Sequence, residues 1–122
     1  MKKVLVVDDS PAVRQQVARA LLDSGFEVVE AGDGVEGIHQ IESDAAIGMV
    51  ILDINMPRMN GLEMLDKLKT GERSSKIPVV MLTSEGQRSM IERAKQAGAK
   101  GWIVKPFKPE LLLGAVRKLM AV

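Results

Sequence analysis

The chain has 122 residues, 46% of them hydrophobic and 27% charged, which suits one globular domain with a real core and leaves no room for two. Seventeen basic residues stand against sixteen acidic ones for a net charge of +1, so composition makes no case for nucleic acid or a membrane surface. There is no cysteine, which excludes disulfides and thiolate metal sites. Met1-Lys2-Lys3 followed by an apolar run resembles the start of a signal peptide. The run stops at Asp8-Asp9, too short for an export signal, so the expectation is a cytoplasmic protein. No apolar stretch reaches membrane-spanning length.

Val4-Leu5-Val6-Val7 reads as a strand covered on both faces, with Asp8-Asp9 at its end. Ser10-Pro11 is a helix start, with Ser as N-cap and Pro at the first helical position. Val13, Val17, Ala20 and Leu21 recur at helical spacing until Gly25. Phe26 to Ala31 is a second strand, more polar and so nearer an edge. Asp33-Gly34-Val35-Glu36 is a capping signal for a helix carrying Val35, Ile38 and Ile41. Met49 to Asp53 is the third strand; Pro57 and Gly61 then force the chain into a loop. Leu62, Met64, Leu65 and Leu68 mark a third helix, and a polar loop runs from Thr70 to Lys76. Pro78 to Thr83 is the fourth strand. Met90, Ile91, Ala94 and Ala97 mark a helix closed by Gly98. Trp102 to Lys105 is the fifth strand, and Pro109 opens a last helix with Leu112, Val116 and Leu119 on one face.

Strands alternating with helices argue for an α/β fold, a doubly wound parallel sheet covered on both faces. Right-handed crossovers and this length suggest the flavodoxin-like order 2-1-3-4-5, with five strands and five helices in a single domain over residues 1–122. Ligands of such sheets bind at the carboxyl ends of the strands. That order sets Asp8 and Asp9 beside Asp53, with Thr83 and Lys105 on the neighbouring strand ends. Any one of these polar residues could merely end a strand. Three carboxylates, a hydroxyl and an ammonium on one rim are harder to assign to plain surface.

Three clustered carboxylates repel, and each is driven toward protonation. A hard divalent cation removes that conflict, and an all-oxygen site favours Mg²⁺ over zinc or copper. Mg²⁺ takes few protein ligands and leaves room for phosphate oxygens. A carboxylate beside such a metal and a lysine can attack a phosphoryl group, and Thr83 can donate to a phosphoryl oxygen.

Asp8-Asp9, the Asp53-x-x-Met-Pro-x-x-x-Gly61 stretch, Thr83 and Lys105-Pro106 match in order and spacing a known family. Over essentially the whole chain the sequence resembles a bacterial two-component response-regulator receiver domain, and in particular a single-domain chemotaxis regulator. The resemblance implies that Asp53 is the phospho-acceptor and that Asp9, Asp53 and the backbone carbonyl of Asn55 bind Mg²⁺, with Asp8 acting through water. It implies that Lys105 pairs with the phosphoryl group, that Thr83 moves toward it on activation, and that the bond before Pro106 is cis. It implies a histidine kinase or phosphotransfer protein as donor. Output then passes to a target protein through the face formed by the fourth helix, fifth strand and fifth helix. It implies no enzyme beyond catalysis of its own phosphorylation and slow dephosphorylation.

Two positions depart from the usual pattern: the switch aromatic is Trp102, and Ser84 follows the switch threonine. The residues two beyond Asp53 and Thr83 are Asn55 and Glu85, a pair expected to tune the rate of dephosphorylation. Other readings compete. An Asp-nucleophile, Mg-dependent phosphatase would want an acid two residues after Asp53, where Asn55 stands. Gly32-Asp33-Gly34-Val35-Glu36-Gly37 spells a G-x-G-x-x-G dinucleotide motif, but on the second βα turn rather than the first. His39 is alone on a helix and reads as surface, and the eight Met residues mostly sit at core spacing.

Overall fold

In a computed structural model that describes residues 3–56, 58–84 and 89–120, the chain alternates strand and helix throughout. The elements are β1 (Lys3–Val7), α1 (Pro11–Asp23), β2 (Glu27–Ala31), α2 (Gly34–Ser43), β3 (Ile47–Asp53), α3 (Gly61–Lys69), β4 (Val79–Thr83), α4 (Ser89–Gln96), β5 (Gly101–Val104) and α5 (Pro109–Leu119). The polar loop after α3 also holds a short 3₁₀ turn, Ser74–Lys76. All strand pairs are parallel, in the order β2-β1-β3-β4-β5. That is the flavodoxin-like order expected from the crossover rule.

The central strands β1, β3 and β4 are buried along nearly their whole length because helices cover both sheet faces. Alternate residues feed two separate cores. Val4, Val6, Met49 and Ile51 pack with Val17 and Leu21 of α1 and Leu112 and Val116 of α5. Leu5, Val7, Val50 and Leu52 pack with Ile41 of α2 and Met64, Leu65 and Leu68 of α3. β2 is one of the two edge strands, which explains its polar outer residues Glu27 and Glu30.

The helix ends follow their local chemistry. The Ser10 side chain accepts from Val13 N, with Pro11 opening α1. Asp33 accepts from Glu36 N at the start of α2. A full capping box at α3, Asn60 with Glu63, was not among the sequence expectations, although Asn-x-x-Glu is its signature. One helix face is corrected. Val35 of α2 is exposed, and the glycines Gly34 and Gly37 face inward with Ile41 instead. A Cβ on Gly37 would lie 2.8 Å from Met64 Cε, so a side chain there would have to push the tip of Met64 aside. Met90 of α4 is likewise exposed, and only Ala94 of that helix is buried.

Candidate functional site on the strand-end rim

The parallel register puts the rim in place. Val7 of β1 pairs with Leu52 of β3, so Asp8 and Asp53 leave the sheet side by side. Thr83 ends β4 opposite Val104, and Lys105 follows β5, its backbone N–H donating to Thr83 O at 2.6 Å. Four chain segments far apart in sequence meet because each strand is pinned in the sheet.

Lys105 Nζ donates to Asp8 Oδ2 at 2.9 Å and to Asp53 Oδ1 at 3.2 Å. Asp8 and Asp53 are both buried, and Asp9 is exposed at the mouth. Oxygens of these three carboxylates lie within 4.8 Å of one another. Burial, together with the charge of Asp8, raises the Asp53 carboxyl to about 6 despite the opposing pull of Lys105. Burial alone would lower the Lys105 ammonium; its hydrogen bond to Asp8 and the charge of Asp53 outweigh that and raise it. One lysine therefore does not offset three acids. The remaining negative charge and the all-oxygen donor set fit a hard cation such as Mg²⁺.

Two features shape the approach to Asp53. Gly61 N donates to Ile54 O at 2.8 Å, folding the start of α3 back onto the strand end. A Cβ on Gly61 would collide with the backbone oxygen of Asp53, so only glycine permits this closeness. On the other side, Arg14 of α1 donates through Nη1 to Asp8 O at 2.6 Å and through Nε to Glu30 at 3.1 Å. Arg14 was missed from sequence; its position one turn into the helix that follows Asp8-Asp9 is the only signal it leaves.

The other sequence candidates divide. Thr83 is fully buried, and among the described residues its Oγ1 has no hydrogen-bond partner. Asn55 is exposed beside the rim. Glu85 lies outside the described residues, as does Pro57. Trp102 does not reach the rim: its indole is 41% exposed and lies under Lys95 Nζ, 4.3 Å from the ring centroid. The Lys105–Pro106 bond is cis, as expected. His39 is exposed. The G-x-G-x-x-G stretch has no amide free for a pyrophosphate at Gly34, whose N–H donates to Met59 O at 3.0 Å.

An open parallel sheet with carboxylates gathered at its switch point defines a class of α/β protein that works at its strand ends. Residues 4–117 match the response regulator receiver domain family. The chain belongs to that family. It is 40% identical over 111 residues to the chemotaxis protein CheY1 of Helicobacter pylori, covering 90% of each chain. It is 38% identical to the chemotaxis protein CheY homolog of Campylobacter jejuni, over 90% of this chain and 85% of that one. Among solved structures it is similar to chemotaxis protein CheY4 of Vibrio cholerae, with 39% identity, a TM-score of 0.90 and 98% of each chain covered. It is also similar to the receiver domain of NtrX from Brucella abortus, with 33% identity, a TM-score of 0.90 and 98% of each chain covered. The chain is thus a CheY-like receiver of two-component signalling. Among the described residues no helix is long and apolar enough to cross a membrane.

Proposed function

We propose that residues 1–122 act as one phospho-acceptor switch in the cytoplasm, loaded at Asp53 from the phosphohistidine of a kinase or phosphotransfer protein. The observation that carries this reading is the buried Asp53 carboxylate, placed by β3 within reach of Lys105 and of two further carboxylates.

A carboxylate oxygen of Asp53 attacks the phosphorus. The P–N bond breaks, and its electron pair leaves on the imidazole, which departs neutral because its other nitrogen is protonated. Lys105 stands where it can hold a phosphoryl oxygen without leaving the carboxylates it already pairs. Asp8, Asp9, Asp53 and the backbone carbonyl of Asn55 are the groups to hold Mg²⁺, which supplies charge neutralisation at the phosphoryl oxygens when bound. In the return step a water oxygen attacks phosphorus, the P–O bond to Asp53 breaks, and the carboxylate and inorganic phosphate are restored. Asn55 and Glu85 tune the rate of that step. Thr83 donates its free hydroxyl to the phosphoryl group, and the change passes to the α4–β5–α5 face, where a target protein binds.

Phosphatase turnover is disfavoured by Asn55, which has no acidic proton to give a leaving group. The test is labelling with acetyl phosphate or a cognate kinase and Mg²⁺, read by mass spectrometry. The wild type gains one phosphoryl group on Asp53, and Asp53→Asn gains none while keeping its fold. Stoichiometric labelling at any other residue overturns the assignment.

A further inference from the structure

The stretch that spells a dinucleotide motif has a different use here. Asp33 is buried, caps α2 through Glu36 N at 2.9 Å, and accepts from Arg58 Nε at 2.7 Å. Arg58 sits in the loop between β3 and α3, the loop that also carries Asn55. Its φ is +62°, a left-handed conformation that costs energy for any residue with a side chain. Next to it, Met59 O accepts from Gly34 N at 3.0 Å. A Cβ on Gly34 would lie 2.7 Å from that same oxygen, so the loop touches the start of α2 only because position 34 is glycine. The hydrogen bond from Arg58, and then that from Glu36 N, hold the Asp33 carboxyl below its ordinary range, so it is charged at neutral pH.

Resting on the reading of Asn55 as a metal-binding carbonyl, we infer that the Asp33–Arg58 pair is a clasp that positions the β3–α3 loop for Mg²⁺. Neither residue touches the metal or the phosphoryl group. Asp33 is tied down by its role as a helix cap, so the clasp anchors a strained loop to a rigid helix end. Arg58 lies mostly in solvent, with a 61% exposed side chain, so the clasp works by holding a geometry rather than by adding much stability.

Two variants separate the clasp from ordinary structure. Asp33→Asn keeps a good N-cap acceptor and removes the charge. Arg58→Ala removes the cation and keeps the backbone strain. Amide chemical-shift titration with Mg²⁺ alone is expected to show binding weakened about three- to fivefold in each, the scale of one solvent-screened pair, with little change in melting temperature. The double variant should be no weaker than either single one, and Arg58→Lys should recover most of the affinity. In metal-free protein, amide hydrogen exchange at Met59, Asn60 and Gly34 should quicken in both single variants. Unchanged affinity in both, or losses that simply add in the double variant, overturns the clasp. The exchange readout needs no metal. If the wild type bound no Mg²⁺ at Asp8, Asp9 and Asn55, the reading of the site would fall, while faster exchange would still establish the clasp and unchanged exchange would remove it.

Discussion

On the carboxylate side of the rim the polar groups already touch, with Lys105 bridging Asp8 and Asp53 at 2.9 and 3.2 Å. On the hydroxyl side they do not: Thr83 Oγ1 is buried without a partner among the described residues, and Trp102 points outward under Lys95. The first region is assembled before any ligand arrives and stores charge repulsion. The second holds an unmet hydrogen bond, a small cost that a new acceptor would relieve. Chemistry needs a preset geometry, whereas a switch needs a region whose contacts change.

The largest blow to this contrast is removal of the half-buried cation that bridges its two buried carboxylates. Lys105→Met leaves Asp8 and Asp53 uncompensated, and metal-free stability at pH 7 should fall by about 2–4 kcal/mol by chemical denaturation, given what breaking a buried pair costs. The loss should shrink near pH 5, where Asp53 takes up a proton. An unchanged denaturation midpoint would mean that the bridge carries no charge balance.

The opposite change tests the stored repulsion. Asp53 is raised from 3.8 to about 6, so between these values the folded protein holds a proton that the unfolded chain releases. This group's stabilising contribution is full below about pH 4 and disappears as pH rises through about 6. The gap corresponds to about 3 kcal/mol, so metal-free wild type should lose stability from pH 4 to 7 through this group. Asp53→Asn or Asp8→Asn should raise metal-free stability at pH 7 by about 1–3 kcal/mol, and Asp53→Asn should flatten that pH dependence. Mg²⁺ should stabilise the wild type more than either variant. Both variants melting below the wild type without metal would refute the clustered-charge reading.

The smallest effect sharpens the other side. Thr83→Val removes an unpaired hydroxyl and should leave stability within about 1 kcal/mol of the wild type. It should nonetheless disconnect Trp102. Phosphorylated wild type is expected to show blue-shifted tryptophan emission as the indole leaves solvent and Lys95, and the Val variant to show none. Full phosphorylation with unchanged Trp102 emission in the wild type would place the switch in the loop after β4 and in α4.

The element order, the parallel sheet and the rim were legible because each rests on local pattern. Apolar runs such as Val4–Val7, the Ser10-Pro11 start and the carboxylates at strand ends sit within a few residues of one another. Strand order followed from handedness, and order alone put Asp8 beside Asp53. What the sequence could not state was which long side chains meet across turns. Arg58 reaches Asp33 across 25 positions, and Lys95 lies over Trp102 seven positions on. Neither pair has a periodicity, since such contacts depend on where two loops or an edge strand and a helix finally pack. The inward glycine face of α2 was hidden for a similar reason. Val35 looks like a core residue by hydrophobicity, but the approach of the α2 start to the Met59 backbone, with Gly37 turned toward Met64, put the glycine face inside.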